Sequence, residues 1–354
     1  MERSPFDRQE YANLNRLSLM KAVFMTTPGN PEVLQLKTAP EPTIQTPTQI
    51  LIKIKAAGIN PIDTKLRRRG TFYPDQMPAI LGCDGAGIVE AVGAEVTKFK
   101  PGDEVYYCWG GLGLNATGNY AEYAVIEEIS VAPKPRSLSF AEAAAAPLVL
   151  ITAWEALFDR GRLEAGQNVL IHAGAGGVGH VALQLAKLKG ANVSTTVSTP
   201  DKERLVRQLG ADYPILYKKN DFVQAIHDWT EGNGVDLAFD TVGGPTFFDT
   251  FAAVAPYGDI VTLLQPDTAK GNLKEARKRN LRIGLELMLT PILQDIQAGL
   301  AHQADILRQC SEWFDAGQLK IHLSQTYPLE EAVAAHRSIE SGSMMGKVAF
   351  VNRF

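Results

Sequence analysis

Between Val169 and Leu185 the chain reads Val-Leu-Ile-His-Ala-Gly-Ala-Gly-Gly-Val-Gly-His-Val-Ala-Leu-Gln-Leu. The apolar triplet Val169-Leu170-Ile171 fits a strand buried on both faces, while Val178, Val181, Ala182 and Leu185 fall on one stripe of a helix. The glycines occupy the turn between them. Gly174 permits the tight turn, Gly176 lets a ligand come close to the backbone, and Gly179 lets helix pack on strand. A helix that starts there presents free N–H groups and a positive dipole end to phosphate. Gly174-x-Gly176-x-x-Gly179, with Gly177 and Val178 inside it, is therefore expected to hold the pyrophosphate of a dinucleotide.

The pattern continues as such a site requires. Strands are expected at 192–198, 215–217, 235–240 and 260–264, with 281–287 as a sixth. Helices are expected at 201–209, 222–229 and 247–254. Strands alternating with helices imply right-handed crossovers and a doubly wound parallel sheet. Upstream the texture differs: residues 20–135 read as short strands separated by turns such as Pro28-Gly29-Asn30 and Pro101-Gly102-Asp103, which suits a β-barrel or a sandwich. Ser139-Phe140-Ala141-Glu142 is a capping box opening an Ala-rich helix that Pro147 interrupts. The tail from about residue 291 adds helices around 306–314 and 330–340 and a strand at 347–351. The fold class is α/β, with a flexible extension at 1–19, and the tail looks like neither half alone.

A net charge of −4 gives no general footprint for nucleic acid, although two basic runs, Lys65 to Arg69 and Lys274 to Arg282, interrupt the acidic balance. Both are read as solvated surface. Cys83, Cys108 and Cys310 are too scattered for a disulfide framework and suit a reducing, cytoplasmic setting. No apolar run approaches the roughly 18 residues that span a membrane.

A ribose-binding acid is expected about 20 residues beyond the glycines, at the end of the second strand. The chain has Val197-Ser198-Thr199-Pro200-Asp201-Lys202 there. Hydroxyls at Ser198 and Thr199 and the charge of Lys202 suit a 2′-phosphate, hence NADPH. Asp201 is the competing ribose ligand, but Thr199 as N-cap and Pro200 as first helical residue make it a first-turn helix acid.

Three further segments are recognisable: Ala56-Ala57-Gly58-Ile59-Asn60-Pro61-Ile62-Asp63-Thr64, Pro78-Ala79-Ile80-Leu81-Gly82-Cys83-Asp84-Gly85-Ala86-Gly87 and Gly102-Asp103-Glu104-Val105. With the glycine loop, Asp240-Thr241-Val242-Gly243-Gly244 and Gly346-Lys347-Val348, they resemble the zinc-independent quinone oxidoreductase (zeta-crystallin-like) branch of the medium-chain dehydrogenase/reductase superfamily. The resemblance implies a GroES-like barrel that forms the catalytic domain (20–146 with 290–354), a Rossmann cofactor domain inserted before the tail (147–289), a cleft between them and a homodimer or homotetramer. It also implies that Asn60 and Asp63 face the nicotinamide, Tyr73 lines the substrate mouth, and Thr152 lies beside the nicotinamide. Tyr217 with Lys202 then sits near the 2′-phosphate, and Gly243 and Lys347 belong to the cofactor site. Blander readings stand beside these: Asn60 as a turn residue, Tyr73 as a loop anchor, Thr152 as a buried helix hydroxyl. Lys65, at a position often aromatic in quinone reductases, and the glycine-rich stretch 108–119 depart from the pattern.

In the alcohol dehydrogenase branch of the superfamily, catalytic zinc is held at three places where this chain has Asn60, Cys83 and Leu148; no metal is expected, since Asn and Leu supply neither thiolate nor imidazole. The resulting expectation is an NADPH-dependent enzyme that passes hydride to a quinone. The alternatives are an enone or enoyl reductase, or a nucleotide-binding structural or RNA-binding protein without catalysis.

Overall fold

The computed structural model describes residues 18–114, 117–342 and 344–352. Most of the expected extension thus lies outside the described residues, and the first strand begins at Leu19.

In the first part, alternation places side chains as expected. β1 (Leu19–Met25) pairs antiparallel with β2 (Leu34–Pro40), and β3 (Gln49–Ile59) buries Ile50, Ile52 and Ile54 completely on one face. Helix α1 (Pro61–Arg69) follows, then β4 (Ala79–Ile80), β5 (Asp84–Val92), β6 (Glu104–Cys108), β7 (Tyr123–Glu127) and β8 (Val131–Pro133). Helix α2 (Phe140–Ala144) begins at the capping box, Ser139 and Glu142 bonding reciprocally. Helix α3 (Pro147–Trp154) then runs into a single π-helical turn, Glu155–Arg160.

β9 (Asn168–Ile171), α4 (Gly177–Leu188), β10 (Asn192–Val197), α5 (Pro200–Gln208), β11 (Tyr213–Leu216), α6 (Phe222–Trp229), β12 (Val235–Asp240), α7 (Pro245–Thr250), β13 (Val254–Thr262), α8 (Lys274–Lys278) and β14 (Arg282–Leu285) alternate along the chain. Their strands form one parallel sheet ordered β11-β10-β9-β12-β13-β14. The order reverses between β9 and β12, the switch point where open α/β sheets bind ligands. The sixth strand proves to be an edge.

After α9 (Thr290–Leu293) and α10 (Gln297–Asp315), the chain returns as β15 (Leu323–Pro328), α11 (Ala332–Glu340) and β16 (Lys347–Val351). β16 lies antiparallel to β3 with Val348 opposite Ile59, completing a seven-stranded sheet from residues near both ends of the described chain. That register sets Lys347 beside the start of α1.

Hydrogen bonds join the returning segment to the glycine loop and α4. Gly346 N–H donates to the Ala175 carbonyl at 2.8 Å, and His322 N–H donates to His180 Nε2 at 3.1 Å. Gln184 exchanges two bonds of 2.9 Å with the Lys320 backbone. Because His180 Nε2 accepts, its Nδ1 must carry the proton that it gives to the Gly176 carbonyl at 3.0 Å. Among the described residues, no helix is long and apolar enough to cross a membrane.

Candidate active site

Two adjoining cavities follow the carboxyl ends of the parallel strands. The inner, of about 410 Å³, lies between sheet and barrel; the outer, of about 580 Å³, runs along β10 and β11. They share Ala173, Gly176, Gly342 and Met344, so together they form one elongated cleft across the glycine loop.

Each glycine in that loop answers a different contact. A Cβ on Gly174 would stand 2.1 Å from Thr195 Oγ1, so this glycine serves the close approach of β10. A Cβ on Gly179 would lie 2.3 Å from the Ala173 carbonyl oxygen, which sets the helix against the loop. At Gly176 only the Ala173 oxygen, at 3.1 Å, comes within reach, and the remaining space opens into the cleft. Gly177 and Val178 line the inner cavity, with a Cβ on Gly177 reaching the Lys347 side chain at 3.3 Å. The left-handed residue of the turn is Ala173, at φ +52°, rather than Gly174. This arrangement fits a dinucleotide: the opening at Gly176 leaves a cradle that a side chain would fill, and α4 begins at its floor.

In the outer cavity the walls include Ser198, Thr199, Lys202 and Tyr217. Thr199 caps α5, accepting from Lys202 N–H at 3.3 Å, with Pro200 in the first helical position. Asp201 also lines this space, but its carboxylate pairs with Arg204 one turn on. Lys218 lines it too; it follows Tyr217 directly after β11, and a basic residue at a strand's carboxyl end was the available signal.

The inner cavity brings together Asn60, Thr152 and Lys347. Thr152 is both a wall residue and a back-bonded helix hydroxyl, donating to the Leu148 carbonyl at 2.7 Å. Asn60 is fully buried and its amide is held at both ends. Nδ2 donates to Asp84 Oδ2 at 2.8 Å, and Oδ1 accepts from Lys347 Nζ. Lys347 also donates to the Ile59 carbonyl at 3.1 Å and stands 3.9 Å from Asp84. Asp84 Oδ1 accepts from Leu148 N–H at 2.8 Å. Burial pulls the Lys347 ammonium below the usual lysine range and pushes the Asp84 carboxyl up, each partly offset by the other.

Asp63 lies beneath this layer and not on the cavity wall. It completes a capping box, accepting Asn60 N–H at 2.8 Å and Tyr120 Oη–H at 2.9 Å, and burial pushes its carboxyl up to about 7. The sequence Asn60-Pro61-Ile62-Asp63, with a cap residue, Pro at the first helical position and an acid at the third, carried that signal. Two other expected residues stand away from the wall. Tyr73 is half-buried against the barrel core on the loop after Gly70, whose φ of +100° turns the chain out of α1. Gly243 shapes a loop: its N–H and that of Val242 donate to Asp240 Oδ1 at 2.9 and 3.0 Å, so that Thr241 reaches the cavity in its place.

Apart from Lys65, Thr241 and Glu286, the rest of the inner wall is largely apolar, with Ile62, Leu148, Leu263, Met288 and Ile339 prominent. Leu148 is such a wall residue, and the Cys83 thiol is buried 3.9 Å from Asp63 Oδ1. Among the described residues no cluster of three or more His, Cys, Asp or Glu is placed to hold a metal.

Comparison with known proteins agrees with this architecture. Residues 46–136 match the alcohol dehydrogenase GroES-like domain family and residues 209–349 the zinc-binding dehydrogenase family. A quinone oxidoreductase from Pseudomonas aeruginosa is 33% identical over 94% of this chain and 100% of its own length. An alcohol dehydrogenase superfamily protein from Novosphingobium aromaticivorans superposes with a TM-score of 0.85 at 35% identity, covering 94% of this chain and 99% of that one. Escherichia coli quinone oxidoreductase, solved in complex with NADPH, gives a TM-score of 0.80 at 29% identity with the same coverage. The chain is an oxidoreductase and belongs to the medium-chain dehydrogenase/reductase superfamily, in its quinone oxidoreductase branch.

Proposed function

We propose that the protein is an NADPH-dependent reductase that passes hydride to a quinone or a similarly electrophilic acceptor without zinc. Residues 147–289 form its cofactor half, and residues 20–146 with 290–354 its substrate half. The observation that carries this reading is the Lys347–Asn60–Asp84 contact. At the position of the first zinc ligand in the alcohol dehydrogenase branch stands an amide already bonded to an ammonium and a carboxylate. Cys83 and Cys108 are the buried thiols near it, and catalytic zinc needs about three protein ligands.

A bound nicotinamide cofactor supplies the hydride. The protein's own part is positional and electrostatic. The loop 174–179 and the start of α4 receive phosphate, while Ser198, Thr199, Lys202 and Lys218 offer donors and charge in the outer cavity. The apolar inner wall excludes water, which strengthens the field of Lys347 there. A quinone gains two electrons and one proton as hydride, and its second proton comes from solvent. Asn60 is locked, and the lining offers no free side-chain acid beside it, so acceptors needing no positioned acid are favoured over simple enones.

The basic runs are partly neutralised within the chain, which weakens the nucleic-acid alternative. Arg67 is buried against Glu340, while Lys278 and Arg279 pair with Glu275 and Arg282 with Asp259. The solvated-surface expectation for Lys65–Arg69 fails at Arg67. The uncovered β14 edge, exposing Ile283 and Leu285, supports a homodimer. The test is NADPH oxidation against quinones, enones and aldehydes, with elemental analysis of the same preparation. Turnover of quinones by metal-free protein is expected; stoichiometric zinc whose removal abolishes activity overturns the proposal.

A further inference from the structure

Three charged residues line the inner cavity: Lys347, Glu286 and Lys65. Lys347 is buried in the contact described above, and the Glu286 side chain, 1% exposed, pairs with Arg160 at 3.2 Å. Lys65 alone is exposed, and it has no ion pair or side-chain hydrogen bond among the described residues. It extends from α1 one turn after Ile62, which lines the same cavity. Residues three and four apart on a helix are neighbours, so Arg68 and Arg69 continue the face that Lys65 begins. Both are exposed and likewise without a carboxylate partner among the described residues. The fourth cation of the run, Arg67, turns inward to Glu340, as noted.

A solvated helix end is the plainer account, and it suits two of the three. Arg68 and Arg69 lie in the last turn, where the helix dipole favours positive charge. Lys65 lies a turn earlier and lines a cavity whose other charged groups are already paired, where the dipole gives no reason for a cation. Like charges three and four apart repel, so the stripe persists against a local penalty.

We propose that Lys65, backed by Arg68 and Arg69, is a specificity determinant for acceptors that carry an anionic group. The electrophilic head enters the apolar cavity beside Asn60, and a carboxylate or phosphate remains at the lip. Lys65 stands five positions after Asn60, a backbone rise of roughly 7 Å along α1, so the anion lies outward of the electrophilic head. This rests on the hydride-transfer reading for its purpose, though not for its test.

The test uses full-length protein saturated with NADP⁺, so that no hydride is available. Calorimetry compares a benzoquinone bearing a short alkanoic acid tail with its methyl ester. The acid should bind about fivefold more tightly at low salt, an advantage that shrinks as ionic strength rises. Lys65→Met should bring the acid to the affinity of the ester, leaving the ester and NADP⁺ unchanged, and Lys65→Arg should retain the preference. A third ligand with a phosphate monoester tail distinguishes the natural anion. Tighter binding than the carboxylate, lost in Arg68→Gln/Arg69→Gln, assigns phosphate, and no surplus assigns carboxylate. Equal affinity of acid and ester, or equal loss of both in Lys65→Met, overturns the proposal. Turnover with NADPH is then measured separately: both quinones reduced but indistinguishable in calorimetry sinks the lip alone, whereas a selective lip with no turnover sinks the hydride reading alone.

Discussion

Gly174 and Gly176 belong to one six-residue motif, yet the structure assigns them opposite modes of failure. In Gly174→Ala the new Cβ would lie 2.1 Å from Thr195 Oγ1, 2.9 Å from its Cβ and 3.0 Å from its Cγ2. The backbone at Gly174 lies outside the left-handed region, so the fault is steric alone. Thr195 cannot swing clear freely: it is fully buried and its hydroxyl donates to the Ile171 carbonyl at 2.6 Å. Overpacking of a tight core costs about 1–3 kcal/mol, and disturbing that buried hydrogen bond adds about 1–2 kcal/mol. The sum of about 2–5 kcal/mol should lower the melting temperature by roughly 3–7 °C for a chain of this length. Gly176→Val meets only the Ala173 oxygen at 3.1 Å and should melt within a few degrees of the parent. Its side chain fills the cradle, however, and nucleotide binding should fall below detection by fluorescence titration. Thr195→Ala removes two of the three close atoms, so Gly174→Ala/Thr195→Ala should be less destabilised than the sum of the single changes. A thermally unimpaired Gly174→Ala, or a Gly176→Val that loses stability but keeps nucleotide, would refute the reasoning.

Two further outcomes follow from charges already placed. Lys202→Ala should weaken NADPH about tenfold or more, the size of one lost bond to a charged group, with NADH nearly unchanged in the same titration; equal losses for both, or a parent that prefers NADH, would remove Lys202 from the 2′-phosphate. Burial and a hydrogen bond to Glu286 push the Glu155 carboxyl up to about 8. The folded state therefore holds a proton that the unfolded chain releases near the ordinary Glu value of about 4.3. The associated stability is complete below that value and is lost as pH rises toward 8. Glu155→Gln should flatten the fall in melting temperature between pH 5 and 8, and an unchanged slope counts against the shared proton.

Features set by neighbours in sequence were legible from sequence. The glycine run after an apolar triplet, the Ser139–Glu142 capping box and the Thr199–Pro200 helix start each depend on spacings of one to four residues, and each occurs where local physics puts it. Contacts made through sheet register were not. Lys347 reaches Asn60 across 287 positions because β16 lies against β3, and nothing near either residue announces the other. Asp63, which the resemblance sets facing the nicotinamide, stands at the capping-box spacing from Asn60 and closes that box beneath the cavity wall. Ala173 shows a different limit: left-handed backbone is sought at glycine, and here a strained alanine takes that conformation beside a glycine that does not.

The bonds from Ala175 to Gly346, His180 to His322 and Gln184 to Lys320 follow one side of α4 in sequence order, like the stitching of a spine. Any movement of barrel against sheet that leaves these bonds intact is a rotation about that line. Away from these bonds, Ile62, Lys65, Leu287 and Met288 are among the residues that line the inner cavity. In such a rotation the glycine loop, which adjoins these bonds, would move least, and the cavity walls farthest from them would move most. A nucleotide bound at the spine would thus find the same walls whether the cleft is wide or narrow, and an acceptor would not.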